Sequence, residues 1–120
     1  MDEQQLADLV ARLDRRLRRF PAVARCADCG IGHPLLLGRS RKQIVCQTCR
    51  LARQGRPPLE AHHLGGRPGD VTVEIPANLH ALLSWLQGLW RGSLEPGSNA
   101  ALLFDLVMLR AFGPFFGVEV

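Results

Sequence analysis

Apolar side chains recur at steps of three and four residues near the start of the chain. They predict an amphipathic helix from Leu6 to Phe20, ended by Pro21. The apolar stripe of this helix consists of Leu6, Leu9, Val10, Leu13, Leu17 and Phe20. The remaining face is rich in arginine, which suits contact with phosphate or an acidic partner but is more commonly just a solvated helix face.

The next segment contains two short strand-like stretches. Pro34–Leu37 and Gln43–Val45 are mainly apolar, and the turn Gly38–Lys42 between them is rich in arginine and lysine. This pattern predicts a β-hairpin with a basic turn.

A second hairpin is predicted further along the chain. It comprises a strand at Leu59–Leu64, a glycine-rich loop at Gly65–Asp70 and a strand at Val71–Ile75, in which apolar and polar residues alternate. Pro76 suits the first turn of a helix, and leucines repeat at helical spacing through Ala77–Trp90. The sequence therefore predicts strand, loop, strand and helix in direct succession.

The last predicted helix is apolar on nearly every side. Ser98 or Asn99 can cap it, and it runs to about Phe112, interrupted by Asp105 and Arg110. A bilayer span needs about 20 uncharged residues, so we expect no membrane partner. We expect the helix to be buried, or to bind a protein partner or a second copy of the chain.

The charge distribution is uneven along the chain. The whole sequence has 15 basic and 11 acidic residues, a net charge of +4. Residues 26–70 carry seven basic and three acidic residues, whereas residues 71–120 carry two and four. Such a bias suits a surface that faces nucleic acid, although a solvated face would give the same bias.

The start of the chain bears on its location. Met1–Gln5 is acidic and polar and has no sign of an export signal, so we expect a cytoplasmic protein. In that reducing compartment, four cysteines favour a metal site over disulfide bonds.

The cysteines form two C-x2-C pairs. Cys26 and Cys29 make the first pair, and Cys46 and Cys49 the second, with sixteen residues between the pairs. Two turns that each present two thiolates can complete the tetrahedron that zinc prefers, and this spacing is typical of structural zinc sites. A redox role for either pair is the alternative, but the sequence has no thioredoxin-like strand and helix around it.

Three histidines and an asparagine fall on the second predicted hairpin and its helix. His62 and His63 are adjacent on a strand and so point to opposite faces, and Asn78 and His80 lie at the start of the helix. These residues also have a purely structural interpretation, in which the histidines only complete hydrogen bonds at a strand end and in a small core.

The same region resembles the HNH endonuclease superfamily, and in particular small bacterial and phage zinc-ribbon proteins with an HNH-like core. The segments that carry this resemblance are Cys46–Cys49, Glu60–Arg67, Thr72–His80 and Leu82–Gln87 with Trp90. They lie within roughly residues 26–90.

The resemblance implies a role for each matched residue. It makes His63 the general base that activates water, with Asn78 orienting the site. It makes His62 and His80 ligands of a divalent ion such as Mg²⁺, Mn²⁺ or Zn²⁺. Arg67 would contact a phosphate, and Asp70 is a possible further ligand.

The sequence thus predicts an α+β protein with treble-clef or zinc-ribbon knuckles and a ββα-metal core. The amphipathic N-terminal helix would occupy residues 1–21, the zinc ribbon with the HNH-like core residues 22–92, and the apolar C-terminal helix residues 93–120.

Two functions remain open at this point. The first is a metal-dependent endonuclease or nicking enzyme that acts on nucleic acid, expected to be DNA. The alternative is a non-catalytic module of the same descent that binds nucleic acid or joins an assembly. In either case the expected nucleic-acid contacts are Arg39, Arg41, Lys42 and Arg67.

Overall fold

The chain divides into two compact units. The computed structural model describes residues 2–68, 70–90 and 92–119. The units are Met1–Pro57 and Pro58–Val120, here called unit 1 and unit 2. The boundary between them falls inside the range 22–92, which is predicted from the sequence as one region.

Helix α1, Glu3–Leu17, opens unit 1. The Asp2 side chain accepts a hydrogen bond from the Gln5 backbone N–H, and the Gln5 side chain accepts one from the Asp2 N–H. This reciprocal cap starts the helix three residues before the predicted position. The prediction missed the first turn because that turn is polar and adds nothing to the apolar stripe. The helix also ends before Phe20, which turns into the core of unit 1 instead.

Strands β1, Leu37–Ser40, and β2, Gln43–Cys46, form an antiparallel hairpin. Ser40 pairs with Gln43, so the turn consists of Arg41 and Lys42 alone and is shorter than predicted.

The segment Pro34–Leu36 before this hairpin is a single 3-10 turn instead of a predicted strand. Pro34 suits the start of such a turn, and the His33 ring accepts a hydrogen bond from the Leu35 backbone N–H.

Helix α2, Gln47–Arg53, follows β2 directly and was not predicted. The core of unit 1 lies between Phe20, which follows α1, the first cysteine pair and the hairpin. Its buried members are Phe20, Cys26, Leu37, Val45 and Cys46.

Unit 2 contains the second hairpin and two helices. Strands β3, Leu59–His63, and β4, Thr72–Pro76, are antiparallel, with His62 opposite Val73. Helix α3, Ala77–Trp90, follows at once, so strand, loop, strand and helix occur in the predicted order.

Helix α4, Asn99–Phe112, is capped by the Ser98 side chain and followed by a 3-10 turn, Gly113–Phe116. By length and composition alone, the stretch Asn99–Phe116 could cross a membrane, with a mean hydropathy of 1.4, and 22% of it is buried. The core of unit 2 is formed by Leu64, Ile75, Leu79, Leu83 and Leu109.

One glycine allows α4 to approach the loop after β3. Gly65 has a φ of +76°, and a Cβ atom there would lie 3.0 Å from the backbone nitrogen of Leu102. Only glycine fits this combination of backbone angle and close contact.

Candidate metal centre and histidine network

The first cysteine pair lies on a tight turn before the hairpin. The Gly30 N–H donates to the Cys26 carbonyl at 2.9 Å, and the Cys26 N–H donates to the Ile31 carbonyl at 2.8 Å. Gly30 has a φ of +81°, a conformation that favours glycine. The Ala27 N–H donates to the Ile44 carbonyl on β2 at 2.9 Å, which holds this turn against the hairpin.

The second pair lies where β2 becomes α2. Cys46 is the last residue of β2 and caps α2, and its sulfur accepts a hydrogen bond from the Cys49 N–H at 3.4 Å. A strand end and the first helical turn therefore present two thiols on the side that faces the first pair.

The four sulfur atoms lie together as metal ligands do. All of them are within 4.8 Å of one another, and the Sγ atoms of Cys29 and Cys46 are 3.8 Å apart. Tetrahedral zinc with Zn–S bonds of about 2.3 Å separates its sulfur ligands by about 3.8 Å. The prediction that these four cysteines form one cluster is confirmed, and the cluster fits a zinc ion.

The electrostatics of the cluster also favour a cation. Burial raises the pKa of the Cys26 thiol, but hydrogen bonds from the backbone of Cys46, Cys29 and Asp28 outweigh it and lower that pKa to about 6. The pKa of Cys49 is raised, first by burial and then by the neighbouring thiols. Four thiols this close cannot all ionise unless a positive ion offsets their repulsion, and a divalent metal would do so.

An ion pair ties the first cysteine pair to α2. The Arg53 guanidinium donates two hydrogen bonds of 2.7 Å to the Asp28 carboxylate, and the pair is about one-third exposed. The hydrogen bonds from Arg53 are also the main cause of the lowered pKa of Asp28.

Unit 1 carries most of the basic residues. Residues 1–57 contain twelve basic and five acidic side chains, a net charge of +7. Residues 58–120 contain three basic and six acidic side chains, a net charge of −3. The division into units 1 and 2 thus separates basic from acidic residues more sharply than the division into residues 26–70 and 71–120 does.

The predicted nucleic-acid contacts of unit 1 lie on the hairpin. The guanidinium carbons of Arg39 and Arg19 lie 5.2 and 5.1 Å from the centre of the Phe20 ring, which places a basic side chain of the hairpin near one from the segment after α1. Arg41 and Lys42 are exposed at the turn and have no hydrogen bond or ion pair among the described residues.

Arg41 adopts a backbone conformation that is unusual for arginine. Its φ is +57°, in the left-handed region, where hairpin turns usually place glycine or asparagine. Such a conformation costs about 1 kcal/mol or more, so glycine would be the more stable choice at this position.

His62, predicted as a metal ligand, is buried in a hydrogen-bonded network with Asp105. Both residues are only 1% exposed, and His62 Nε2 lies 2.9 and 3.1 Å from the two carboxylate oxygens. A carboxylate only accepts hydrogen bonds, so Nε2 carries the proton. The Gly65 N–H and Gln87 Nε2 also donate to Asp105, at 2.9 and 3.1 Å, and Gln87 donates to the His63 carbonyl at 3.1 Å.

His80 lies beside this network. Its ring centre is 5.4 Å from that of His62, and the two rings are nearly perpendicular. His80 Nε2 is 3.6 Å from Glu60 and 3.5 Å from the Ser84 hydroxyl, while Nδ1 is buried without a hydrogen bond. Burial lowers the pKa of His80, and the charge of Glu60 only partly opposes that effect.

The other predicted residues of this site are placed as follows. His63 is partly exposed at the end of β3, Asn78 is buried in the first turn of α3, and Arg67 and Asp70 are exposed in the loop after β3. The structure therefore brings His62 and His80 together, and His63 follows His62 directly in the sequence.

The histidine side chains are not arranged as ligands of one metal ion, in contrast to the four cysteines. Across residues 2–68, 70–90 and 92–119, no second group of three or more histidine, cysteine, aspartate or glutamate side chains gathers its ligand atoms. The Nε2 atom of His62 is engaged by Asp105 instead. A divalent ion at this position remains a prediction from the resemblance.

Two residues of this network, Asp105 and Gln87, are not among the site residues predicted from the sequence. A single acidic residue within a mostly apolar helix was the available signal, because a carboxylate in such a place needs a buried partner. The sequence did not indicate which of the four histidines that partner was.

No protein family, curated protein or solved structure matches this chain at a significant level.

Proposed function

We propose that this protein is a zinc-stabilised nucleic-acid-binding module whose binding surface lies on unit 1. The observation that carries this proposal is the position of the four-cysteine cluster within a unit of net charge +7. Small four-cysteine sites of this spacing contribute folding energy and do no chemistry. The basic surface around the cluster supplies the affinity for phosphate.

Zinc would act as a cross-link in this unit. Cys26 and Cys29 would hold it from the first turn, and Cys46 and Cys49 from the hairpin and α2. These four ligands would thereby fix the hairpin whose tip presents Arg41 and Lys42. These side chains contact the phosphate backbone, which gives affinity without reading the sequence of bases. We expect DNA as the nucleic acid, and a soluble cytoplasmic protein.

Substitutions at the hairpin tip test this function. Arg41→Gly removes a charge and relieves the left-handed backbone, so weaker binding by this variant cannot be ascribed to a less stable fold. Lys42→Ala removes the neighbouring charge. Each variant should bind a labelled DNA duplex less tightly and should reduce the slope of log K against log salt by about 1.

The matched control is Arg110→Ala, which removes an exposed charge from unit 2. This variant should bind like the wild type in the same fluorescence-anisotropy titration. Equal affinities and equal salt slopes for all four proteins would reject the hairpin as the binding surface.

Hydrolysis of a phosphodiester bond is a second candidate function. It is supported by the strand, loop, strand and helix order of unit 2 and by the 5.4 Å separation of the His62 and His80 rings. Nicking of plasmid DNA that requires Mg²⁺ or Mn²⁺ and is lost in His63→Ala would support it. The engagement of His62 by Asp105 favours binding over hydrolysis, and we expect no such nicking.

A further inference from the structure

Helix α1 has an apolar face that nothing in unit 1 covers. This open face is a shallow groove lined by Glu3, Leu6, Ala7, Val10, Ala11 and Asp14. Leu6 is 53% exposed and Val10 57%, and α1 has no buried residue at all.

A neighbouring face of the same helix accounts for the contact of α1 with unit 1. Leu9 and Leu13 are half-buried, and the Arg16 guanidinium donates to the Leu35 carbonyl at 3.5 Å. The open face is therefore a second apolar surface, separate from the one that holds α1 in place.

The shape of the open face suits another helix. Ala7 and Ala11 are one helical turn apart and keep the middle of the groove shallow, while Leu6 and Val10 form a ridge beside them. Small and large side chains in parallel rows allow the ridge of one helix to pack into the groove of another.

The charges along α1 identify the partner helix. Its first nine residues and the cap carry Asp2, Glu3 and Asp8 and no basic residue. Its last six residues and the two that follow the helix carry five arginines and one acid: Arg12, Asp14, Arg15, Arg16, Arg18 and Arg19. A helix that is acidic at one end and basic at the other complements an antiparallel copy of itself.

We infer that two copies of this chain associate through antiparallel packing of their α1 helices. A two-fold axis between Val10 and Ala11 places Val10 of each copy against Ala11 of the other, and Ala7 against Asp14. It also brings Glu3 of one copy to Arg18 of the second copy, and the reverse contact forms by symmetry. Arg18 already binds Asp14 at 2.9 Å on its own helix and retains further N–H groups for this contact.

The interface is small, so the dimer is weak. A helix of 15 residues is about 22 Å long, and a single helix pair buries less area than the roughly 1,200 Å² of a standard stable interface. We expect association that depends on concentration in the micromolar range. The dimer would carry two copies of the basic hairpin, but the inference itself does not depend on nucleic-acid binding.

Sedimentation velocity of the full zinc-loaded chain over a range of concentrations tests this inference. The wild type should move from monomer to dimer as concentration rises. Val10→Arg places a charge at the centre of the interface and should weaken association at least about tenfold. Val23→Arg is the matched control, because Val23 is 82% exposed and lies outside α1, and it should leave association unchanged.

A charge exchange identifies the partner as a second copy. Glu3→Arg and Arg18→Glu should each weaken association, and the double variant Glu3→Arg/Arg18→Glu should restore it, because the exchanged charges again meet across the two-fold axis. A wild type that stays monomeric, a Val10→Arg variant that still dimerises, or a double variant without rescue would each overturn the inference. Binding to anionic lipid vesicles by a chain that does not self-associate would also overturn it, since an amphipathic helix can lie on a membrane.

Discussion

At the scale of single residues, Asp105 has the largest structural role that was not predicted from the sequence. It lies in an apolar stretch of α4, yet it is buried there, while Leu103 and Val107 are more than half exposed. Its carboxylate collects hydrogen bonds from His62, Gln87 and the backbone of Gly65. One charged side chain thus joins β3, the following loop, α3 and α4.

Replacement of this carboxylate should destabilise unit 2. Asp105→Asn puts an NH2 group where only acceptors fit, and leaves at least one buried donor unpaired. The expected loss is about 3 kcal/mol of unfolding free energy. Trp85 and Trp90 are the only tryptophans of the chain and both belong to unit 2, so urea unfolding followed by tryptophan fluorescence reports on this unit alone.

Asp70→Asn provides the control for this experiment. Asp70 is exposed in the loop after β3, and the same chemical change there should alter the unfolding free energy by less than about 0.5 kcal/mol. Equal urea midpoints for wild type and Asp105→Asn would mean that the network does not hold unit 2 together.

At the scale of secondary-structure elements, the sequence predicts the elements whose signals lie within a few neighbouring residues. Helix α3 has the predicted bounds, and α4 starts after Ser98, one of its two predicted caps, because apolar spacing and capping residues are readable within a few positions. The cysteine cluster was predictable for the same reason, since C-x2-C spacing describes the turn that metal ligands need.

Elements that depend on distant contacts were missed. Helix α2 has only seven residues and lacks a long apolar period. It is held by the Cys46 cap and by Arg53, which binds Asp28 twenty-five residues away. The contact between His62 and Asp105 spans forty-three residues, and no local pattern encodes it. A single sequence therefore revealed candidate side chains of the histidine site but not what each one binds.

At the scale of the whole molecule, charge and chemistry are divided between the two units. Unit 1 has the cysteine cluster and a net charge of +7, and unit 2 has the histidine network and a net charge of −3. The proposed function assigns affinity for nucleic acid to unit 1. It follows that the binding surface should depend on the metal, because the cysteines link the parts that form it.

A DNA titration with and without zinc tests the central claim most directly. Anisotropy of a labelled duplex would be measured with protein that holds one zinc per chain, with the same protein after removal of zinc by a chelator, and after zinc is restored. We predict salt-sensitive binding by the zinc-loaded protein, its loss on chelation and its return with zinc. Equally tight binding by the zinc-free protein would contradict the account.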